Sequence, residues 1–252
     1  MPESTPLYLD WGFWSAIAAL FALVLSQLPP IRLWLKSKNL DVEIHGNIQV
    51  THKIGNPNLG AYLTIYNSGG RTVQIRSISM SIYRDRTLIG EYPANTYFET
   101  SSSSIPLFLV PFKLEPGEGW AHSITLLNSF ERALDKRVRD CESALRTDIR
   151  MKLERRPDGD KTPVVAEPHF LEPFYALFNQ LFIWLPGEYK AVLNVKTEKT
   201  GEVFAMNYKF TLFESESAEL RSHVEDYQFG GGLSYKVDRH AGIFVPLAPT
   251  ND

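Results

Sequence analysis

Beyond position 40 most of the chain alternates polar and apolar residues, whereas one stretch ahead of it does not alternate at all. Residues 11–28 carry no charge and only Ser15, Ser26 and Gln27 as polar side chains. At ~1.5 Å per residue, a helix of that length spans about 27 Å, near the ~30 Å hydrocarbon thickness of a bilayer. Pro29 and Pro30 end the run, because neither has an N–H to donate and each restricts the residue before it. The pattern predicts one N-terminal transmembrane helix, with residues 1–39 as membrane anchor and juxtamembrane segment. Trp11 and Trp14 mark one interface, Phe21 and Leu25 lie within the span, and Trp34 marks the other interface.

Charge gives this helix a direction. Arg32, Lys36 and Lys38 follow it, whereas Glu3 and Asp10 precede it with no Lys or Arg. Basic residues near a span stay on the cytoplasmic side, so the expectation is an inner-membrane, single-pass protein with its N-terminus outside and its main domain cytoplasmic. A cleaved signal peptide fits less well, since it requires a basic start and a small-x-small cleavage site. The same domain facing the periplasm is the alternative topology.

From residue 40 the alternation predicts strands at 41–44, 47–52, 61–67, 72–83, 87–91, 106–113, 119–127, 188–197 and 202–213. Residues 55–60 read as a turn-rich loop, and Asn67-Ser-Gly-Gly as a tight turn. In the 72–83 strand the apolar phase slips by one residue between Ile75 and Ile78, which predicts a bulge. Sequential strands without a strand–helix repeat indicate a mainly β, antiparallel sandwich over residues 40–213.

Helical sequence interrupts the strands at about 129–184. Leu134, Val138, Cys141, Leu145, Ile149 and Leu153 recur every three or four residues along a charged stretch, making one narrow apolar stripe. Asn128 or Ser129 is the expected cap. A second, more apolar stretch carries Phe170, Phe174, Phe178 and Trp184, and Pro168 and Pro173 argue against a second span. Residues 214–252 form a tail with an acidic, helical start and an aromatic segment containing Tyr227 and Phe229, expected to pack back on the domain.

Asn67-Ser-Gly-Gly before a long strand, Leu114-Glu-Pro-Gly-Glu118 leading into Trp120 and Ile124, and Leu185-Pro-Gly-Glu-Tyr189 leading into Val192, Leu193 and Val195 together resemble the bacterial immunoglobulin-like and CARDB-type sandwiches. The resemblance covers residues of about 40 to 213 and implies an immunoglobulin-like antiparallel β-sandwich. It implies no functional residue, and the helical insertion between the two Pro-Gly-Glu turns departs from the family.

Composition and charge narrow the function. Basic residues in 132–156 alternate with acids, which indicates a solvated helix face and no nucleic-acid track. His45, His52, His122, His169, His223 and His240 lack the spacing of metal ligands on one helix. His45 and His52 would have to meet across neighbouring strands, with Asp41 or Glu43, to make a site. Lone Cys141 falls on an apolar stripe, as a small buried thiol does. Gly230-Gly-Gly232 lacks the Lys-Ser/Thr of a phosphate loop. The expectation is therefore no cofactor, no metal site and no catalytic residue.

Aromatic residues offer the better lead. Phe170, Phe174, Phe178, Trp184, Tyr227 and Phe229 either pack on one another or form a partner surface, since such side chains anchor protein interfaces. The expected function is a non-catalytic, protein-binding tether or accessory subunit, touching membrane lipid through the N-terminal helix. Small residues at Gly12 and Ala16, and at Ala18 and Ala22, permit homo-oligomers. The competing expectation is a membrane-bound hydrolase using His122 or His169 between sandwich and insertion.

Overall fold

The computed structural model describes residues 11–27, 37, 39–100, 102–197, 202–233 and 242–250. Its elements in chain order are helix α1 (Trp11–Gln27), strands β1 (Leu40–Lys53), β2 (Asn56–Asn67), β3 (Val73–Arg84), β4 (Thr87–Phe98), β5 (Leu107–Phe108), β6 (Phe112–Leu114) and β7 (Gly119–Leu127), helices α2 (Arg132–Glu154) and α3 (Pro168–Leu181), strands β8 (Gly187–Thr197) and β9 (Val203–Leu212), helix α4 (Glu214–Ser222), a 3-10 helix (His223–Phe229), and strands β10 (Ile243–Pro246) and β11 (Ala248–Thr250).

The strands form one antiparallel sheet in the order β10-β1-β2-β7-β4-β3-β8-β9-β11, with β5 on β4 and β6 on β3. This corrects the expected immunoglobulin-like sandwich, which needs two separate sheets. Two features join what would have been its halves. Strand β4 pairs with β3 up to Pro93 and then with β7 from Ala94 onward, shifting register between Ala94 and Thr96 as it turns the corner. At the opposite seam, β10 pairs with β1 and β11 with β9, only Leu247 lying between them. The sheet thus curls into a nearly closed barrel, because closure leaves few edge groups unpaired.

Side-chain alternation fills the interior. Leu59, Leu63 and Ile65 of β2, Met80 and Ile82 of β3, and Leu193 and Val195 of β8 are all fully buried. The expected bulge in β3 appears as a register shift between Ile75 and Ser77 against β8. The β1–β2 connection differs from the predicted loop: Ile54 and Gly55 make a two-residue turn with φ of 51° and 80°, and Asn56 already pairs with Lys53. Pro57 is tolerated because it lies one residue before the β7 ladder begins at Asn58.

Helices α2 and α3, the 3-10 helix and Ile54 enclose a second core of Val138, Leu145, Leu171, Phe174, Phe178, Tyr227 and Leu233. Pro168 occupies the first turn of α3, where its missing N–H costs nothing. Helix α2 begins at Arg132, after Glu131, and not at the Asn128 or Ser129 cap expected from sequence.

The expected transmembrane span is also corrected. Helix α1 has 17 residues, about 26 Å at the α-helical rise. Among the described residues no helix is long and apolar enough to cross a membrane. The single-pass, inner-membrane placement and its N-terminus-outside direction fall with it. Trp11, Trp14, Phe21 and Leu25 lie on α1 and are exposed, while Arg32, Trp34, Lys36 and Lys38 lie outside the described residues.

Candidate functional site

A groove of about 940 Å³ lies along β3, β8, β9 and the closing strands. Its floor is set by strand register. Tyr83 of β3 stands opposite Lys190 of β8, Lys190 opposite Lys209 of β9, and Lys209 opposite Ala248 of β11. One step along, Val192 stands opposite Asn207, which faces Thr250. Alternation explains why these residues face outward, since Tyr189, Ala191 and Leu193 between them point into the core. Arg86 and Glu188 flank the groove, and exposed Phe213 and Pro246 add apolar wall.

A second feature is an aromatic cluster built from β4, β6 and β7 and packed against the barrel core. Trp120 stacks on Phe112 at 5.0 Å and meets Tyr97 at 5.6 Å and His122 at 4.7 Å. His122 Nδ1 lies 3.1 Å from the Phe98 carbonyl. The nearby connection through residues 105–110 carries Ile105, Leu107, Phe108 and Val110 on the surface, Phe108 being 81% exposed.

His52 has a structural position. The Gly55 N–H donates to its Nδ1 at 3.1 Å, so Nε2 carries the proton and donates to the Leu220 carbonyl at 2.8 Å. Both nitrogens of the neutral ring are thereby used. Gly55 admits no larger residue there, since a Cβ would lie 2.7 Å from the Phe178 carbonyl oxygen. His45 is exposed and edge-on to Tyr62 at 6.5 Å, so the structure does not bring His45 and His52 together. His169 lies against Phe170 at the start of α3, and His122 lies on β7 among Trp120 and Tyr97. Among the described residues no group of three or more His, Cys, Asp or Glu could hold a metal ion.

The aromatic residues singled out from sequence separate in the structure. Phe174, Phe178 and Tyr227 are buried in the helical core and Trp184 in the barrel core. Their place is inside, and the packing of aromatic on aromatic explains them. Trp184 Nε1 donates to the Thr51 carbonyl at 3.0 Å, which ties the end of the insertion to β1. Phe170 is partly buried against the same helical core, and Phe229 alone of the six is exposed, at 46%. The Tyr227 hydroxyl is buried without a hydrogen-bond partner among the described residues, and burial, with Tyr175 adding, pushes its phenol well above the ordinary value. Gly230 and Gly231 close the 3-10 helix by donating to the Tyr227 and Asp226 carbonyls. Cys141 is partly buried on α2 and takes part in no disulfide.

Sequence reading missed Lys190 and Lys209 as a pair and the exposed residues 105–110. The alternation of β8 and β9 places each lysine on a polar face, but only register places them opposite one another.

No protein-family model and no curated protein matches this sequence. Among solved structures, a protein from Archaeoglobus fulgidus is similar at 9% identity, over 70% of this chain and 98% of that one, with a TM-score of 0.25.

Proposed function

We propose that this protein is a non-catalytic binding module that engages a partner protein through uncovered apolar surface, serving as a tether or accessory subunit. The observation that carries this reading is α1. It is apolar on every side, and between residues 11 and 26 only Ile17 is even half-buried. Trp11 is 89% exposed and Phe21 64%. A helix apolar all round belongs in a packed interior, and exposed apolar surface of this extent marks an interaction site. The covering surface on the partner is apolar, a groove or a helix bundle that takes α1 whole. Exposed Ile105 and Phe108 extend the same chemistry to the barrel.

The test is site-specific photo-crosslinking in the full chain, with the reactive residue at Phe21 and, separately, at Phe108. The expected result is a discrete adduct with a second protein at Phe21 that weakens when Leu25→Glu is added. Adducts with lipid alone, or none at all, would overturn the reading.

A further inference from the structure

We propose that His52 is a pH-sensitive latch, holding the helical layer against the barrel while its ring is neutral and releasing it when the ring takes up a proton. His52 lies at the end of β1, where the barrel core meets the helical one. It is buried, with its ring 5.3 Å from Phe178 and 5.5 Å from Phe182. Its Nε2–H donates to the Leu220 carbonyl of α4 at 2.8 Å, and its Nδ1 accepts the Gly55 N–H at 3.1 Å. A proton on Nδ1 turns that acceptor into a donor, so two N–H groups would face each other. The Gly55 peptide must then turn away.

The turn that moves is the one on which the helices rest. Ile54 is fully buried in the helical core although its φ is 51°, a left-handed conformation that a β-branched residue keeps only where its surroundings hold it. Gly55 lies under α3, with no room for a Cβ beside the Phe178 carbonyl. Losing the His52 bond therefore frees a strained turn and loosens the support of α3. Charges around the ring also oppose protonation. Arg221 of α4 lies 4.8 Å over the Phe182 ring, and the ring of His223, from the 3-10 helix, is 5.3 Å from that of His52. Lys53, next along β1, is matched by Glu142 of α2 at 3.5 Å.

The direction of the effect follows. An imidazole in water titrates near about pH 6.5, whereas the docked ring is neutral, so the open state binds the extra proton and acid favours it. Below that value one proton raises the opening constant about tenfold per pH unit. Asp148, which accepts the Glu167 N–H at the start of α3, keeps its charge in this window, since carboxylates titrate near about pH 4. The barrel has its own core and stays closed.

Amide exchange of the full chain, corrected for the intrinsic pH dependence of exchange, tests this together with ring ¹⁵N spectra of His52. Protection of residues 168–181 is expected to fall about tenfold from pH 6 to pH 5, while Leu59, Leu63 and Ile65 of the barrel keep theirs. The ring is expected as the Nε2–H tautomer at pH 7.5, and its protonation should coincide with the loss of α3 protection; this reading needs no variant. His52→Asn keeps an acceptor for the Gly55 N–H and cannot titrate, so it is expected to abolish the pH response, whereas His223→Asn is expected to retain it. Unchanged α3 protection down to pH 5, equal loss in the barrel, protonation of His52 with α3 still protected, a full response in His52→Asn, or loss of the response in His223→Asn overturns the inference.

Discussion

The Tyr208 hydroxyl accepts the Ile44 backbone N–H at 3.0 Å across the seam between β9 and β1. Neither strand pairs with the other as a ladder, so this bond and the 2.9 Å bond from Leu247 N–H to the Gly46 carbonyl span the gap beside β10. Both groups at the Tyr208 contact are buried. Tyr208→Phe keeps the ring and removes the acceptor. It should cost about 1–3 kcal/mol, the penalty of leaving a buried donor unsatisfied, read by urea unfolding. Amide exchange at Ile44 should quicken more than at Leu63 in the barrel centre. Tyr62→Phe, at an exposed site, should change stability little.

Tyr227 presents the opposite situation. Its buried hydroxyl has no partner among the described residues, while its ring stacks on Tyr175 at 6.1 Å and meets Phe174 and Phe178 edge-on. Tyr227→Phe preserves those ring contacts and deletes the unsatisfied group. Stability should stay level or rise by about 1 kcal/mol, seen as an increased urea midpoint with unchanged slope. A loss of more than that would mean the hydroxyl is held by a group the packing argument omits.

Alkaline sensitivity follows from the barrel tyrosines. Burial pushes the Tyr92 phenol from 10.0 up to about 12, and burial likewise raises Tyr189 and Tyr208. A raised folded-state value means the neutral phenol is favoured in the native protein. Its contribution is therefore complete below pH 10 and is lost as pH rises through 10 toward 12. At pH 11 Tyr92 alone should account for about 1.4 kcal/mol. Urea unfolding at pH 9 and 11 measures the drop, and Tyr92→Phe should make it shallower.

At acid pH the sensitive group is Asp148, whose carboxylate accepts the Glu167 N–H at 3.0 Å where α3 begins and lies 3.2 Å from Lys152. Burial pushes its carboxyl up, but the Glu167 N–H and Lys152 together outweigh that and hold it below the ordinary value. The contribution is present above the ordinary carboxylate range near pH 4 and is lost as pH falls below it. Asp148→Asn should lower the melting temperature at pH 7 and converge with the parent protein in the acid range. A constant offset at both pH values would show that packing, and not charge, holds this helix start.

Much of the fold is local and legible in the sequence. The phase slip between Ile75 and Ile78 marks the shift against β8, because side-chain direction alternates strictly along a strand. The stripe through Val138 and Leu145 marks the buried side of α2, because helical period and burial coincide. Other features depend on partners far away in the chain. Strands β10 and β11 are four and three residues long and contain Pro246 and Pro249, so neither has a strand signal of its own. They exist because β1 and β9 offer edges beside them, and Gly242 allows the approach, since a Cβ there would lie 2.5 Å from the Val50 carbonyl oxygen.

By itself, the sequence determined a strand-rich body with an inserted helical pair and an uncharged apolar helix ahead of it, because periodicity and propensity act over a few residues. Only the tertiary structure decided that β4 joins both halves into one curled sheet and that the C-terminal strands close the opposite seam. The same holds for the aromatic residues, whose identity says they are apolar while only packing shows that Phe174, Phe178, Trp184 and Tyr227 are interior. Register, corner and closure are set by pairings between residues as far apart as Ile48 and Val245, and their energies appear only once the chain has brought those edges together.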